Sequence, residues 1–265
     1  MKEIIKLFLP PIVLNFIKRF KINKYGWKGD YTSWKEAEKD AIGYDSNEIL
    51  NKVKNSLLKV KNGEVVYERD SVLFDKIQYS WPLLSGLLLA STTSKRKLNI
   101  IDFGGSLGST YYQNKKFLDK LDDLSWSIVE QKHFVEIGQN EFENDILKFF
   151  YSVDKSVKKE KENVLLLSSV LQYIEKPYEL LDDILKNDFK YILIDRTPFS
   201  KCCEQIKLQV VPPSIYNASY PCHFFEEDRF FNYFKDKGFN LLESFDALDG
   251  VTINYVFKGM IFEKK

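Results

Sequence analysis

The run Asp102-Phe103-Gly104-Gly105-Ser106-Leu107-Gly108-Ser109 sets a carboxylate and a glycine-rich turn directly behind the apolar stretch Leu98–Ile101. Glycine lets backbone N–H groups approach a ligand where a Cβ would collide, and a helix that follows aims its N-terminal dipole at a carboxylate or phosphate. The chemistry suggested is a cradle for a nucleotide-like cofactor. Further along, Glu130 and Gln131 follow another apolar run, and a carboxylate there can accept hydrogen bonds from both ribose hydroxyls of an adenosine. Ser168-Ser169-Val170-Leu171-Gln172-Tyr173 offers backbone and small side chains to line the same ligand. Asp195-Arg196 and His223 are the candidates for moving or holding a proton, Asp195 as base or ion-pair partner and His223 as base. His133 is read as a cofactor contact or a helix cap, and Tyr79, Trp81 and Tyr112 as candidate walls.

These residues need a scaffold that brings distant segments to one edge. Strand-like runs occur at Leu98–Phe103, Trp126–Glu130, Lys148–Val153, Val164–Ser168 and Tyr191–Asp195. Helical segments separate them, most clearly Asn114–Leu121, His133–Phe142 and Tyr178–Leu185. Alternating strands and helices imply a parallel sheet wound on both faces, whose ligands lie at the carboxyl ends of the strands. Asp102, Glu130, Ser168 and Asp195 fall at such ends, while His133 opens a helix and His223 lies in the insertion between the fifth strand and the last helix. After a helix over Glu226–Lys237, Asn240–Phe245 and Thr252–Phe262 read as two strands joined by a turn containing Asp249-Gly250. Upstream, helices are expected between Gly43 and Gly63 and over Ser80–Ala90, with Pro82 tolerated in the first turn.

The spacing within the turn separates two cofactors. A dinucleotide fingerprint Gly-x-Gly-x-x-Gly ending at Gly108 needs glycine at 103, where Phe103 stands. An acid, a spacer and a glycine, as in Asp102-Phe103-Gly104, suits the first loop of S-adenosylmethionine (SAM) dependent methyltransferases, although the usual third glycine is here Ser106. Five parallel strands ending in an antiparallel pair are also the layout of class I methyltransferases. The expected fold is therefore α/β: a Rossmann-like class I methyltransferase with a doubly wound, mostly parallel sheet, a C-terminal antiparallel hairpin and an N-terminal helical extension. Cofactor contacts are assigned to Asp102, Gly104, Gly105, Ser106, Gly108, Ser109, Glu130, Gln131, Ser168, Ser169 and Leu171, and catalytic roles to His223, Asp195 and Arg196.

Longer runs carry a family resemblance. Tyr67–Asp75, Gln78–Pro82, Asp102–Tyr111, Val129–Gln131, Leu167–Tyr173 and Ile194–Phe199 resemble a methyltransferase family first described in Leptospira, whose members are often encoded among enzymes of surface-polysaccharide assembly. The resemblance covers nearly the whole chain, including the Pro10-Pro11 start. It implies methyl transfer from SAM to a glycan or a lipid-linked glycan. An NAD-dependent nucleotide-sugar enzyme and a methyltransferase fold kept as an inactive assembly factor are the alternatives.

Bulk properties bound these readings. The 265 residues, 44% hydrophobic and 29% charged with a formal net charge of +1, describe one sizeable α/β domain with an appendage, or at most two small domains, and give no argument for nucleic-acid binding. Three cysteines, two of them adjacent, and two histidines make neither a disulfide framework nor a structural zinc site, and a reducing cytoplasm is the simplest setting. Residues 1–28 differ from this average: Lys2, Lys6, Lys18, Arg19, Lys21, Lys24 and Lys28 stand against Glu3, around an apolar stretch broken by Pro10-Pro11. That composition suits a segment resting on an anionic membrane surface, or equally a helix packed on protein. The expected organisation is 1–28 as a basic amphipathic segment, 29–95 as a helical lid or docking region, and 96–265 as the SAM-binding domain. Within the last, 199–224 is a loop-rich substrate insertion.

Overall fold

In a computed structural model the structure describes residues 25–43, 46–157, 163–251 and 255–265. Strand β1 (Gly26–Tyr31) leads into helix α1 (Trp34–Asp40), whose N-cap Ser33 accepts a hydrogen bond from the Glu36 amide. Helix α2 (Ser46–Lys61), the short strands β2 (Tyr67–Arg69) and β3 (Val72–Phe74), and helix α3 (Trp81–Thr93) come next. The alternating part then runs β4 (Lys97–Phe103), α4 (Ser109–Leu118), β5 (Asp123–Val129), α5 (Lys132–Ile137), β6 (Leu147–Phe150), α6 (Val153–Val157), β7 (Val164–Ser168), α7 (Pro177–Ile184) and β8 (Tyr191–Ser200). Strands β9 (Gln205–Val210) and β10 (Ser219–Glu226), helix α8 (Glu227–Asp236), and strands β11 (Phe239–Val251) and β12 (Tyr255–Lys264) complete the described elements.

The chain divides into two compact units. The smaller takes residues up to 45 together with 206–222, and the larger takes 46–205 and 223–265. In the smaller unit β1 pairs antiparallel with β9, and Gly43 bridges Ser219. This division differs from the expected boundaries: the stretch 29–95 is shared between the units and carries strands as well as helices. Residues 1–24, most of the basic segment, lie outside the described residues. So does Asp45, which directly precedes α2.

In the larger unit the strand order is β6-β5-β4-β7-β8-β12-β11. Strands β4 to β8 are mutually parallel, β12 runs antiparallel along β8, and β11 pairs antiparallel with β12. This is the Rossmann-like arrangement expected for class I methyltransferases. The central strands are buried on both faces, as the near-continuous Val, Ile and Leu composition of β7 and of the first half of β8 requires. One face packs Leu98, Ile100, Trp126, Ile128, Val164, Leu166, Tyr191 and Leu193 against α2, α3 and α4. The other packs Ile101, Val129, Leu165, Leu167, Ile192 and Ile194 against α7 and α8.

Three expectations need correction. The insertion 199–224 is about half strand rather than loop throughout, because β8 continues to Ser200 and β9 and β10 fill half of the remainder. Asp249-Gly250 lie inside β11 rather than in a turn, since that strand continues to Val251. The helix expected over His133–Phe142 is α-helical only to Ile137 and then widens into one π turn over Gly138–Phe142. There Gly138 faces Phe149 of β6, whose ring would lie 2.3 Å from an added Cβ.

Candidate functional site

A strand alternates its side chains between faces every second residue. Leu98 and Ile100 share the face of α3 and α4, so Asp102 does too; the same count places Glu130, Ser168 and Asp195 there. Register confirms that they gather at one edge: Asp102 lies opposite Ile128 and Leu166, and Ser168 opposite Asp195. Four polar positions predicted from the sequence therefore meet at the carboxyl ends of four adjacent strands.

The glycine turn sits over the first of them. The Gly104 amide donates to Val129 O at 2.9 Å, which ties the turn to the end of β5. Gly104 has φ +72°, and an added Cβ would stand 2.3 Å from Val170 Cγ2. At Gly105 an added Cβ would meet Asp102 Cγ at 2.4 Å, so the carboxyl group lies directly beneath that residue. Asp102 is 1% exposed and its Oδ2 accepts a hydrogen bond from Trp126 Nε1 at 3.0 Å. Its Oδ1 has no partner among the described groups. Burial pushes its pKa up to about 7, and the nearby Glu130 charge adds to the rise. Asp102 thus supports the turn from below.

Ser106 occupies the place of the absent third glycine and holds the left-handed φ of +56° that glycine would take freely. Its amide donates to Glu130 Oε1 at 3.3 Å, while Oε2 of the same carboxylate accepts the Gln131 amide at 2.7 Å. Glu130 therefore closes onto the glycine turn from the β5 side. Gly108, at φ +107°, donates to Gly105 O and begins α4 at Ser109.

A third carboxylate reaches the turn from outside the alternating strands. Glu68, in β2, is 2% exposed; Ser109 Oγ donates to its Oε1 and the Ser71 amide to its Oε2 at 3.1 Å. Burial pushes its pKa up to about 7 against the lowering effect of the Ser109 hydrogen bond. Strands β2 and β3 form a hairpin whose two turn residues, Asp70 and Ser71, both have positive φ. Tyr67 OH accepts from Gln113 Nε2 of α4 at 3.1 Å, a second attachment of this hairpin. The sequence offers only a weak signal for Glu68, since it stands in a resembling run without an assigned role.

At β8 the sheet bulges. Thr197 pairs with Lys258 and Ile194 with Met260, so Asp195 and Arg196 together oppose Gly259. Arg196 has φ +53° and its guanidinium forms a two-point contact with Asp249, Nε to Oδ2 at 2.8 Å and Nη2 to Oδ1 at 2.9 Å. The same Nη2 reaches Asp70 Oδ2 at 2.6 Å. Beside it, Asp195 is 3% exposed, its Oδ1 lacks a partner among the described groups, and burial pushes its pKa up to about 7. Arg196 is therefore engaged in an ion-pair network between β8, β11 and the β2–β3 hairpin. Asp195 carries the available carboxyl oxygen.

Other candidates are placed elsewhere. His223 is buried in β10, its Nε2 lies 3.2 Å from Glu175 O and its ring stacks on Phe225; burial lowers its pKa. Leu171 packs into the core of the opposite face, with Ile101 and Leu165. Ser169 donates its amide to Asp195 O, and its hydroxyl accepts from Gln172 Nε2. Gln131 is exposed beyond Glu130. His133 stands beside Phe134 at the start of α5 with its Nε2 buried. Tyr79 and Trp81 pack on Phe117 near the far end of α4, and Tyr112 packs against the core. Among the described residues no group of three or more His, Cys, Asp or Glu is placed to hold a metal ion.

No protein-family model matches the chain, and no curated protein matches it in sequence. Among solved structures, the N-terminal domain of EvdMO1 with SAH and D-fucose aligns over 84% of this chain and 98% of its own, at 12% identity and a TM-score of 0.49. A SAM-dependent methyltransferase from Clostridium acetobutylicum aligns over 81% of this chain and 98% of its own, at 9% identity and TM-score 0.48. Magnesium protoporphyrin IX methyltransferase from Synechocystis, with bound SAM, aligns over 70% of this chain and 79% of its own, at 11% identity and TM-score 0.45.

Proposed function

We propose that this chain is a SAM-dependent methyltransferase whose acceptor is a sugar hydroxyl of a cell-surface polysaccharide or of its precursor. The observation that carries the cofactor reading is the charge around the glycine turn. Glu68, Asp102 and Glu130 approach it from three elements, and among the described residues none forms an ion pair with a Lys or Arg. Such a lining repels the pyrophosphate of a dinucleotide and suits a ligand whose reactive part is a cation. The residues fit that group: Glu130 holds a carboxylate where ribose hydroxyls can be met, and Ser106 and Gly105 bring backbone close beside it.

When bound, SAM supplies an electrophilic methyl group on sulfur. What the chain must add is alignment of the acceptor and removal of its proton. Asp195 is suited to the second task, because a carboxyl group titrating near neutrality is a base at working pH and Oδ1 is its unengaged oxygen. Arg196, held by Asp249 and Asp70, fixes the bulge that presents it.

The acceptor class rests on the resemblance of the runs Tyr67–Asp75 and Ile194–Phe199, which contribute Glu68, Asp70, Asp195 and Arg196 to this site. The basic composition of residues 1–28 supports work at the inner face of an anionic membrane. No described helix is long and apolar enough to cross a membrane. Calorimetry with SAH tests the cofactor, with a dissociation constant on the order of micromolar expected. Tight NAD binding with no SAH binding would exclude it. Transfer of labelled methyl from SAM to lipid-linked glycan tests the acceptor, and salt-sensitive sedimentation with anionic phospholipid vesicles tests the membrane surface.

A further inference from the structure

Glu68 is costly where it stands. A buried carboxylate ordinarily has a cationic partner or is replaced by a neutral group of similar shape. A glutamine could meet both of its contacts, its carbonyl oxygen accepting from the Ser71 amide and its side-chain nitrogen donating to the Ser109 hydroxyl. Among the described residues it forms no ion pair; the neighbouring Asp70 repels it, and Arg196, which attracts it, is already bound to Asp70 and Asp249. Nothing in the resting chain therefore uses the negative charge.

Its position suggests what does. Strand order places β5 on one side of β4 and β7 and β8 on the other. Glu130 marks the β5 side of the glycine turn, whereas Glu68, reached through Ser109 and carried on the hairpin whose Asp70 binds Arg196 of β8, marks the β8 side. A cofactor whose ribose is held at Glu130 extends its reactive end toward β8, where Asp195 Oδ1, itself almost fully buried, also lacks a partner among the described groups. We infer that Glu68 reads the positive charge at the reactive end of the cofactor and so distinguishes SAM from its neutral product SAH. This rests on the cofactor reading above and gives the hairpin Tyr67–Phe74 a binding role outside the Rossmann-like core.

The test compares SAM and SAH affinities by calorimetry for the full chain and for Glu68→Gln, which removes the charge, keeps an acceptor for the Ser71 amide and reverses the Ser109 hydrogen bond. The expected result is a loss of about ten- to a hundredfold for SAM with SAH affinity nearly unchanged. An unchanged SAM-to-SAH ratio, with both affinities lowered or neither, overturns the inference and leaves Glu68 as a support for α4. Should Glu68→Gln fail to fold, the wild-type chain decides: SAM, with its sulfonium, and the analogue sinefungin, with an ammonium group beside the same position, must bind more tightly than SAH by a similar factor. Equal affinities for all three overturn the inference while leaving the cofactor reading intact. Absence of binding by all three removes the cofactor reading itself.

Discussion

At the scale of the residue, the site separates side chains that meet a ligand from those that shape the turn beneath it. On the proposed reading Glu130 belongs to the first kind: Glu130→Ala should weaken SAM binding at least about tenfold by calorimetry while the melting temperature moves little, since the side chain is tied to two backbone amides of the turn edge. Asp102 belongs to the second. Gly105→Ala should destabilise the chain by about 2 kcal/mol or more in urea titration, because its Cβ collides with a buried carboxyl group. Adding Asp102→Ala should recover part of that loss, and strict additivity of the two would refute the contact. Asp195→Asn should lower turnover by roughly a hundredfold with SAM affinity retained. Wild-type turnover should rise with pH through about 7 as this carboxyl group ionises, and the variant should not show that rise. Asp102, Glu130 and Asp195 are legible in the sequence because each follows an apolar run of strand length. Glu68 is not, because strands of three residues leave no periodic pattern and its partner Ser109 is distant in sequence.

Elements position these groups through irregularities that a binary pattern does not encode. The bulge at Asp195-Arg196 exists because Gly259 lets β12 approach closely: a Cβ there would lie 2.1 Å from Phe245 Cζ and 2.8 Å from Ile194 O. Gly259→Ala should therefore cost about 2 kcal/mol or more and lower turnover along with stability, since it disturbs the strand that carries Asp195. Calorimetric SAM affinity should fall less than turnover, as the glycine turn is built on other strands. The parallel strands are legible because each is an apolar run of the right length between helical segments. The stretch 199–224 is not, because Pro212, Pro213 and Pro221 suggest loop. In the structure Pro212 and Pro213 lie between β9 and β10, while Pro221 is buried within β10. His223, expected beside the reacting groups, is misplaced for the same reason.

Across the whole molecule, the buried carboxyl groups whose pKa is pushed up to about 7 make stability depend on pH in an unusual direction. Glu68, Asp102 and Asp195 titrate near 7 in the folded chain and near 4 when unfolded, so between these values the native state holds protons that the unfolded state has released. Their combined contribution falls as pH rises through this window and is fully lost above it. The melting temperature should therefore be lower at about pH 8 than at about pH 5, and Asp102→Asn should flatten the decline.

The place of β12 between β8 and β11 has a consequence for biosynthesis. Both neighbours leave the ribosome before it does, so β8 keeps an unpaired edge until Tyr255–Lys264 has emerged. An apolar strand with an open edge is a template for pairing with other chains. Slow translation or rare codons in the part of the message that encodes Tyr255–Lys264 would lengthen that exposure, so aggregation during expression should respond to elongation rate over that stretch more than over the region encoding the glycine turn.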